Sequence, residues 1–395
     1  MKTPAINKTR IQSVDLLRGM VMIIMALDHT RDYFHKAAFI YEPTDLTHTN
    51  VPLFFTRWIT HFCAPVFMFL AGTSAFLSGQ KKSKKELCGF LVTRGIWLIF
   101  LELTVVNFAW YFNVHFPNID FLVIWALGAS MIVLGVLIWL PRGMIFFVGL
   151  LLVAGHNLLD NIHLPGNNLK AFGWSLLHDP ALYTFKGIHS FVAYPIVSWI
   201  GVMALGYCFG NLYTANFDAA KRKRILTWLG SSLIAFFIIL RYSNAYGDAN
   251  HWSLQSSNSF TILSFLNTTK YPPSLLYLSM TLGPAILFLA FSEKLTNPFT
   301  QAIRIFGRVP MFYYLLHIYV IHAGAMIAAT LNGYTWSDYI LTSWVSLEPK
   351  LKGQGFDLYV VYLVWISVIF LLYPLCKWYD TYKRHHKEKW WQGYL

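Results

Sequence analysis

Residues 13–34 read SVDLLRGMVMIIMALDHTRDYF. Eight consecutive apolar residues, Met20 to Leu27, lie between Asp15 and Arg18 on one side and Asp28, Arg31 and Asp32 on the other. The stretch has the roughly 20 residues that an α-helix needs to cross a bilayer. No small-residue cleavage site follows it, so it reads as an uncleaved first span rather than a signal peptide. Nine further apolar segments of comparable kind follow, giving spans near 13–34, 54–78, 90–112, 119–140, 144–160, 190–210, 225–242, 274–292, 308–329 and 358–378.

The composition agrees. The chain is 56% hydrophobic and only 12% charged, where soluble proteins carry about 25% charged residues. Too few polar residues remain to cover a water-soluble surface. This excludes a soluble enzyme, a disordered chain, a coiled coil and a disulfide-rich secreted module. Long continuous apolar runs exclude a β-barrel, whose strands alternate over about ten residues. The expected fold is all-α: a polytopic integral membrane protein of about ten helices, organised as one transmembrane domain over 1–395. Residues 1–12 form its N-terminal segment and 379–395 a basic tail.

The net charge of +13 marks topology, not a nucleic-acid partner. Basic clusters at Lys81–Lys85, Lys221–Arg224 and Lys383-Arg384 sit between apolar runs, and translocated loops avoid Lys and Arg. Most basic residues fall at the termini and in even-numbered connections. The odd-numbered ones hold only Lys36, Lys170, Lys186, Lys270, Lys350 and Lys352. Both termini are therefore expected in the cytoplasm. The odd-numbered connections are longer, and loops of that kind can form lids or docking surfaces. The four cysteines lie in or beside apolar runs, so no disulfide framework is expected.

Ionisable side chains inside spans are costly and mark function by default. Asp15 and Arg18 are three residues apart on one helical face and can pair. Arg18 and His29 are eleven apart, hence on the same face and separated by about 16 Å along the axis. A fixed cation toward the inside and a titratable base further out would suit an anionic cofactor with a long thin arm. In the second span Arg57 and His61 are one turn apart, and Pro65 should kink the helix and free a carbonyl near His61. Gly72 to Ala75 form a small-residue stretch permitting close packing. The ninth span places Tyr313 and His317 on one face. Asp15 with Arg18 reads equally as a structural pair, Arg94 and Glu102 as packing or topology residues, and His317 as either a packed or a functional histidine. His29, Asp32 and His61 could ligate a metal, but their spacing signals none in particular. Phosphate-binding loops, Cys-x-x-Cys pairs and nucleophile elbows are missing from the sequence.

These residues carry a family resemblance. Ser13 to Asp32, with Asp-Leu-Leu-Arg-Gly and then Asp-His, resembles the start of the heparan-α-glucosaminide N-acetyltransferase catalytic-domain family, most of all its bacterial members. Residues 54–77, with Thr-Arg-Trp-Ile-Thr-His-Phe-Cys-Ala-Pro-Val-Phe and Leu-Ala-Gly-Thr-Ser, are similar to the same group. So is Phe306-Gly307-Arg308-Val309-Pro310-Met311-Phe312-Tyr313-Tyr314-Leu315-Leu316-His317. The Arg18-to-His29 spacing also resembles the arginine–ten residues–histidine signature of the wider membrane acyltransferases that acetylate bacterial surface sugars. The resemblance implies transfer of an acetyl or other acyl group from cytoplasmic acetyl-CoA to a glycan or small-molecule acceptor across a bacterial inner membrane. Animal lysosomal members carry Asn in place of His29 and a histidine in the following segment, so His35 and His48 remain alternatives.

The resulting expectation is a membrane acyltransferase. His29 would act as general base, its ordinary pKa of about 6.5 being near working pH, with His61 the alternative base. Asp28 or Asp32 would orient the imidazole or stabilise its cation. Arg18 and Arg57, with Asp15 paired to Arg18, would hold acetyl-CoA. His317 and Tyr313 would complete the site. The competing reading is a proton-coupled transporter or exporter of a small solute, and a third is a structural subunit. Membrane lipid is the expected surround, and oligomeric state, a homodimer included, stays open.

Overall fold

The computed structural model describes residues 11–386 and 388–389. Each of the ten apolar segments contains a helix, although the fourth, expected from 119, becomes helical only at Val123, and the sixth, expected from 190, opens in a short strand and becomes helical only at Val197. The chain begins with α1 (Gln12–Phe34), followed by α2 (Val51–Trp58) and α3 (Cys63–Gly79), which a 3-10 turn at Ile59–Phe62 joins into one rod. Next come α4 (Lys84–Leu101) and α5 (Asn107–Tyr111), linked by a π-helical stretch at Glu102–Val106. Then follow α6 (Val123–Leu137) and α7 (Arg142–Gly155). Beyond a cap described below, α9 (Val197–Phe209), α10 (Ala219–Ser243), α12 (Leu275–Ser292), α14 (Pro310–Thr330) and α15 (Leu358–His385) complete the bundle.

Side chains fix several helix starts. Asn50, Asp218 and Ser274 accept backbone N–H groups of α2, α10 and α12, and Ser83 with Glu86 forms a reciprocal capping box on α4. Each satisfies donors that the first turn leaves without partners.

Among the described residues, seven helical rods are long and apolar enough to cross a membrane, and α6 and α9 are shorter apolar helices. α1 has the length but also five charged side chains, and it occupies the centre, packed against α3, α12, α13 (Pro298–Arg308), α14 and α15. Charge in the centre and apolar surface outside is the arrangement that lipid demands. The outer helices α4, α7, α10 and α15 expose Phe100, Phe147, Ile239 and Phe370. Gly72 makes the α3–α9 crossing close, because a Cβ there would overlap the Met203 carbonyl. Gly307 does the same for α13 against α1, where a Cβ would overlap the Asp15 carbonyl.

The structure adds elements to the connections. The segment after α7 forms α8 (Leu169–Leu177) and an antiparallel hairpin, β1 (Ala181–Phe185) with β2 (Ile188–Val192), pairing Ala181 with Val192 and Phe185 with Ile188. The segment after α10 carries α11 (Asn258–Leu266), and the one before α14 carries α13 (Pro298–Arg308). Boundaries also shift. The ninth span was expected from 308, but Val309 breaks the helix and α14 starts at Pro310. The last span was expected to end near 378, yet α15 continues to His385. It does so because Tyr379 and Asp380 are buried and Asp380 pairs with Arg308 and Arg384. Most of the expected N-terminal segment, 1–10, and the tail end, 387 and 390–395, lie outside the described residues.

α1 begins on the face where α15 ends: Asp15, Lys377 and Arg384 line one groove there. We call this the terminal face. At the opposite face Lys36 pairs with Asp357 at 2.5 Å, joining the end of α1 to the start of α15.

Candidate active site

Two cavities flank α1. The larger, about 530 Å³, lies under the opposite-face loops. Asp28, His29 and Asp32 of α1, Arg57 and His61 of the second rod, Lys270 and Tyr271 of the loop before α12, and Trp344 line it. The smaller, about 270 Å³, lies toward the terminal face and is lined by Arg18, Arg94, Arg308 and Lys383 together with Met22, Met25, Met68, Met131 and Met311. Val123 and Tyr314 line both cavities. Tyr314 meets the His29 ring edge-on, with centroids 6.4 Å apart.

His29 is held by a second histidine. Its Nδ1 lies 2.7 Å from Nε2 of His317, and Nδ1 of His317 lies 3.0 Å from the Tyr313 carbonyl oxygen. A carbonyl only accepts, so His317 donates Nδ1–H to it, and its Nε2 accepts Nδ1–H from His29. In this neutral chain Nε2 of His29 keeps its lone pair. The fully buried His317 stacks on Tyr313 with centroids 5.2 Å apart, and Trp110 packs edge-on against His29. Thus α14 fixes the ring that α1 presents.

Of the two parts expected of it, Asp28 does not take the first: it does not orient the imidazole. Its Oδ1 accepts from Arg31 Nη2 at 2.5 Å and from Thr60 Oγ1 at 2.9 Å, and its Oδ2 accepts from Arg57 Nη1 at 2.6 Å. Lys270 Nζ stands 4.0 Å away. Asp32 likewise accepts from Arg31, at 2.7 Å. The carboxylates anchor a buried charge network that ties α1 to the second rod, and paired, hydrogen-bonded charge is the only kind an interior holds cheaply. Arg57 therefore belongs to the opposite-face cavity, whereas Arg18 lines the other one; the sequence reading had grouped them around one ligand.

His61 owes its setting to Pro65. Proline has no N–H to give the carbonyl four residues earlier, and the His61 carbonyl instead accepts from the Tyr277 hydroxyl at 2.8 Å. The 3-10 turn at Ile59–Phe62 lies here, and His61 Nδ1 is buried with no hydrogen-bond partner. Arg18 donates to Ser74 Oγ at 2.9 Å and to the Gly307 carbonyl at 3.3 Å, and lies 3.6 Å from Asp15. Asp15 lines the neighbouring terminal-face groove, and Tyr313 supports His317 from behind without lining either cavity.

The two alternative histidines fall outside the site. His35 accepts the Ala37 N–H in a local turn, and exposed His48 pairs with Asp45; neither lines a cavity. Glu102 caps α6, accepting from the backbone N–H groups of Ile124 and Trp125 at 2.7 and 2.9 Å. That agrees with its packing reading, whereas Arg94 belongs to the terminal-face cavity.

Sequence reasoning missed Lys270, Tyr271, Arg31 and Trp344. Lys270 looked like one more loop charge; its signal was the flanking Tyr271-Pro272-Pro273, a rigid aromatic start to the eighth span. Burial raises the Tyr271 phenol pKa, but the neighbouring Lys270 and Arg57 outweigh it and hold the group below its ordinary value.

The helices and the buried charge between them define a polytopic membrane protein with two chambers that meet at Val123 and Tyr314, beside the His29–His317 pair. A family model described as heparan-alpha-glucosaminide N-acetyltransferase, catalytic, matches residues 10–241, more than half of the chain. The chain belongs to that family, whose members are transmembrane acetyltransferases that use acetyl-CoA in general. No curated protein sequence matches it. The matched region holds Arg18, Asp28, His29, Asp32, Arg57 and His61; Lys270 and His317 come from beyond it.

Proposed function

We propose that the protein moves an acetyl group from acetyl-CoA, bound at the terminal face, to a sugar hydroxyl or amine in the opposite-face cavity. The observation that carries this reading is the meeting of two unlike cavities at Tyr314, beside His29. The terminal-face cavity suits the donor. Four cations line it, no carboxylate is among its described lining residues, and its walls are methionine-rich and apolar. Such walls accept a flexible aliphatic arm, while the cations face phosphate.

In this reading His29 Nε2 takes the proton from the acceptor hydroxyl or amine. The acceptor atom bonds to the thioester carbonyl carbon, the carbon–sulfur bond breaks, and the imidazolium returns the proton to the departing thiolate. His317 steadies the imidazolium through the Nδ1–H of His29. Arg57 and Lys270, beside Tyr271, bind the acceptor's polar groups, and Trp344 and Tyr194, which also lines this cavity, offer aromatic faces to a sugar ring. The terminal face is then cytoplasmic, the membrane a bacterial inner membrane, and the chain a single functional domain.

The test is transfer from labelled acetyl-CoA to glucosamine by purified protein, the acceptor taken from the family's name. Wild type should acetylate it, and His29→Ala should lose about a hundredfold to ten-thousandfold in rate. Unchanged transfer by His29→Ala would remove the histidine's role. Solute uptake into vesicles without acetyl-CoA, together with no acetyl-CoA binding, would establish a transporter instead.

A further inference from the structure

A second cluster of ligand-type side chains stands where α7 ends. His156 opens the 3-10 turn that closes α7, Asp160 follows that turn, and His178 ends α8. One ligand atom from each of the three lies within 4.8 Å of the other two. His178 Nε2 and Asp160 Oδ1 are 3.1 Å apart, close to the roughly 3.4 Å between two ligands of a tetrahedral ion bonded at about 2.1 Å. Both histidines are 2% exposed.

The decisive feature is His156. Neither of its ring nitrogens makes a hydrogen bond, although the ring is buried, and such a group costs about 1–3 kcal/mol if nothing meets it. The Pro273 carbonyl lies beside the ring without hydrogen-bonding geometry. A metal on one nitrogen would turn the other into an N–H donor toward such a carbonyl, the usual outer partner of a ligating histidine. Asp160 already has its outer partner, since Asn157 Nδ2 donates to its Oδ2 at 2.8 Å.

We propose that His156, Asp160 and His178 bind a divalent first-row transition metal, with zinc the best match. Two imidazoles and one carboxylate are a nitrogen-and-oxygen set that suits zinc and disfavours calcium or magnesium. Water completes a four-coordinate shell on the partly exposed Asp160 side. The site lies outside the His29 cavity and stands independently of the acyl-transfer reading. Its role follows from what it joins. The α8–hairpin cap is knitted by Ser175 to Tyr183 at 2.6 Å, and Leu182 and Phe191 of its hairpin line the opposite-face cavity. The metal clamps this cap to α7 and so fixes one wall of that cavity.

The test uses full-length protein in detergent, carrying no polyhistidine tag, loaded with zinc and then desalted. Elemental analysis should find about one zinc per chain. His156→Ala and Asp160→Asn should lose it, while His163→Ala, on an exposed histidine paired with Asp179, should keep it. Cobalt in place of zinc should give the intense visible bands of a tetrahedral site in wild type and His163→Ala, and not in His156→Ala or Asp160→Asn. Amide exchange across 160–192 should quicken on chelation in wild type and not respond in Asp160→Asn. If His156→Ala fails to fold, Asp160→Asn decides, because Asp160 is partly exposed and the amide keeps its volume. A zinc-free wild type after loading, or equal zinc in wild type and Asp160→Asn, would overturn the proposal.

Discussion

The two cavities differ in how they hold charge. Around His29 the charges are balanced and locked: Asp28 binds Arg57 and Arg31, and Asp32 binds Arg31 again. At the terminal face the lining is Arg18, Arg94, Arg308 and Lys383, with thioether and aromatic walls. A balanced chamber suits a neutral or weakly polar reactant that must be oriented. The terminal-face wall holds only cations, although Asp15 and Asp380 outside it pair with Arg18 and Arg308, and a cation-rich wall suits an anion that must be attracted. One helix, α1, serves both, because about three turns separate Arg18 from His29 on the same face.

Substitutions can break this contrast. The largest effect belongs to His29→Ala: a hundredfold to ten-thousandfold fall, roughly, in acetyl transfer, with acetyl-CoA affinity kept within about twofold because its binding residues lie in the other chamber. Turnover and equilibrium binding, measured on one preparation, check both halves. Next is Asp28→Ala. It leaves Arg57 buried without its carboxylate, and losing one partner of a buried pair costs about 3–5 kcal/mol; denaturant unfolding in detergent should register it. Arg18→Ala should show the reverse of His29→Ala. Loss of a charge-assisted contact of about 1.5–3 kcal/mol weakens acetyl-CoA binding roughly tenfold to a hundredfold, with the rate at saturation little changed. Tyr277→Phe should be smallest, at about 1 kcal/mol of stability, because only the hydroxyl bridging to the His61 carbonyl is lost.

How much of this was legible in the sequence depends on the range of the interaction. The spans were legible because a 20-residue apolar run needs no partner to be recognised. The family was legible in short motifs such as Asp-Leu-Leu-Arg-Gly. Pro65 announced the free His61 carbonyl through a rule that acts four residues away, although not that Tyr277 would meet it. Partner choice was not legible. Asp28 stands next to His29 in sequence, yet it turns to Arg57 and Arg31, while the imidazole finds His317 from a helix 288 residues on. Helical geometry explains this: neighbours in sequence point about 100° apart and do not face each other. Lys270 looked like a solvated loop charge, because the flanking Tyr271-Pro272-Pro273 marks a rigid segment but not that the loop folds back over a cavity. The α8–hairpin cap was read only as a long connection, since its strands have five residues each and a core of their own too small to imprint a clear pattern.

The central claim is that donor and acceptor occupy different chambers, opening to different faces, and meet at His29. The most direct measurement seals protein of one orientation into vesicles, with glucosamine trapped inside and labelled acetyl-CoA added only outside. With the terminal face outward, label should accumulate on the trapped sugar, and His29→Ala vesicles should show none. Label appearing only when sugar and acetyl-CoA share one compartment, or appearing equally with His29→Ala, would contradict the account.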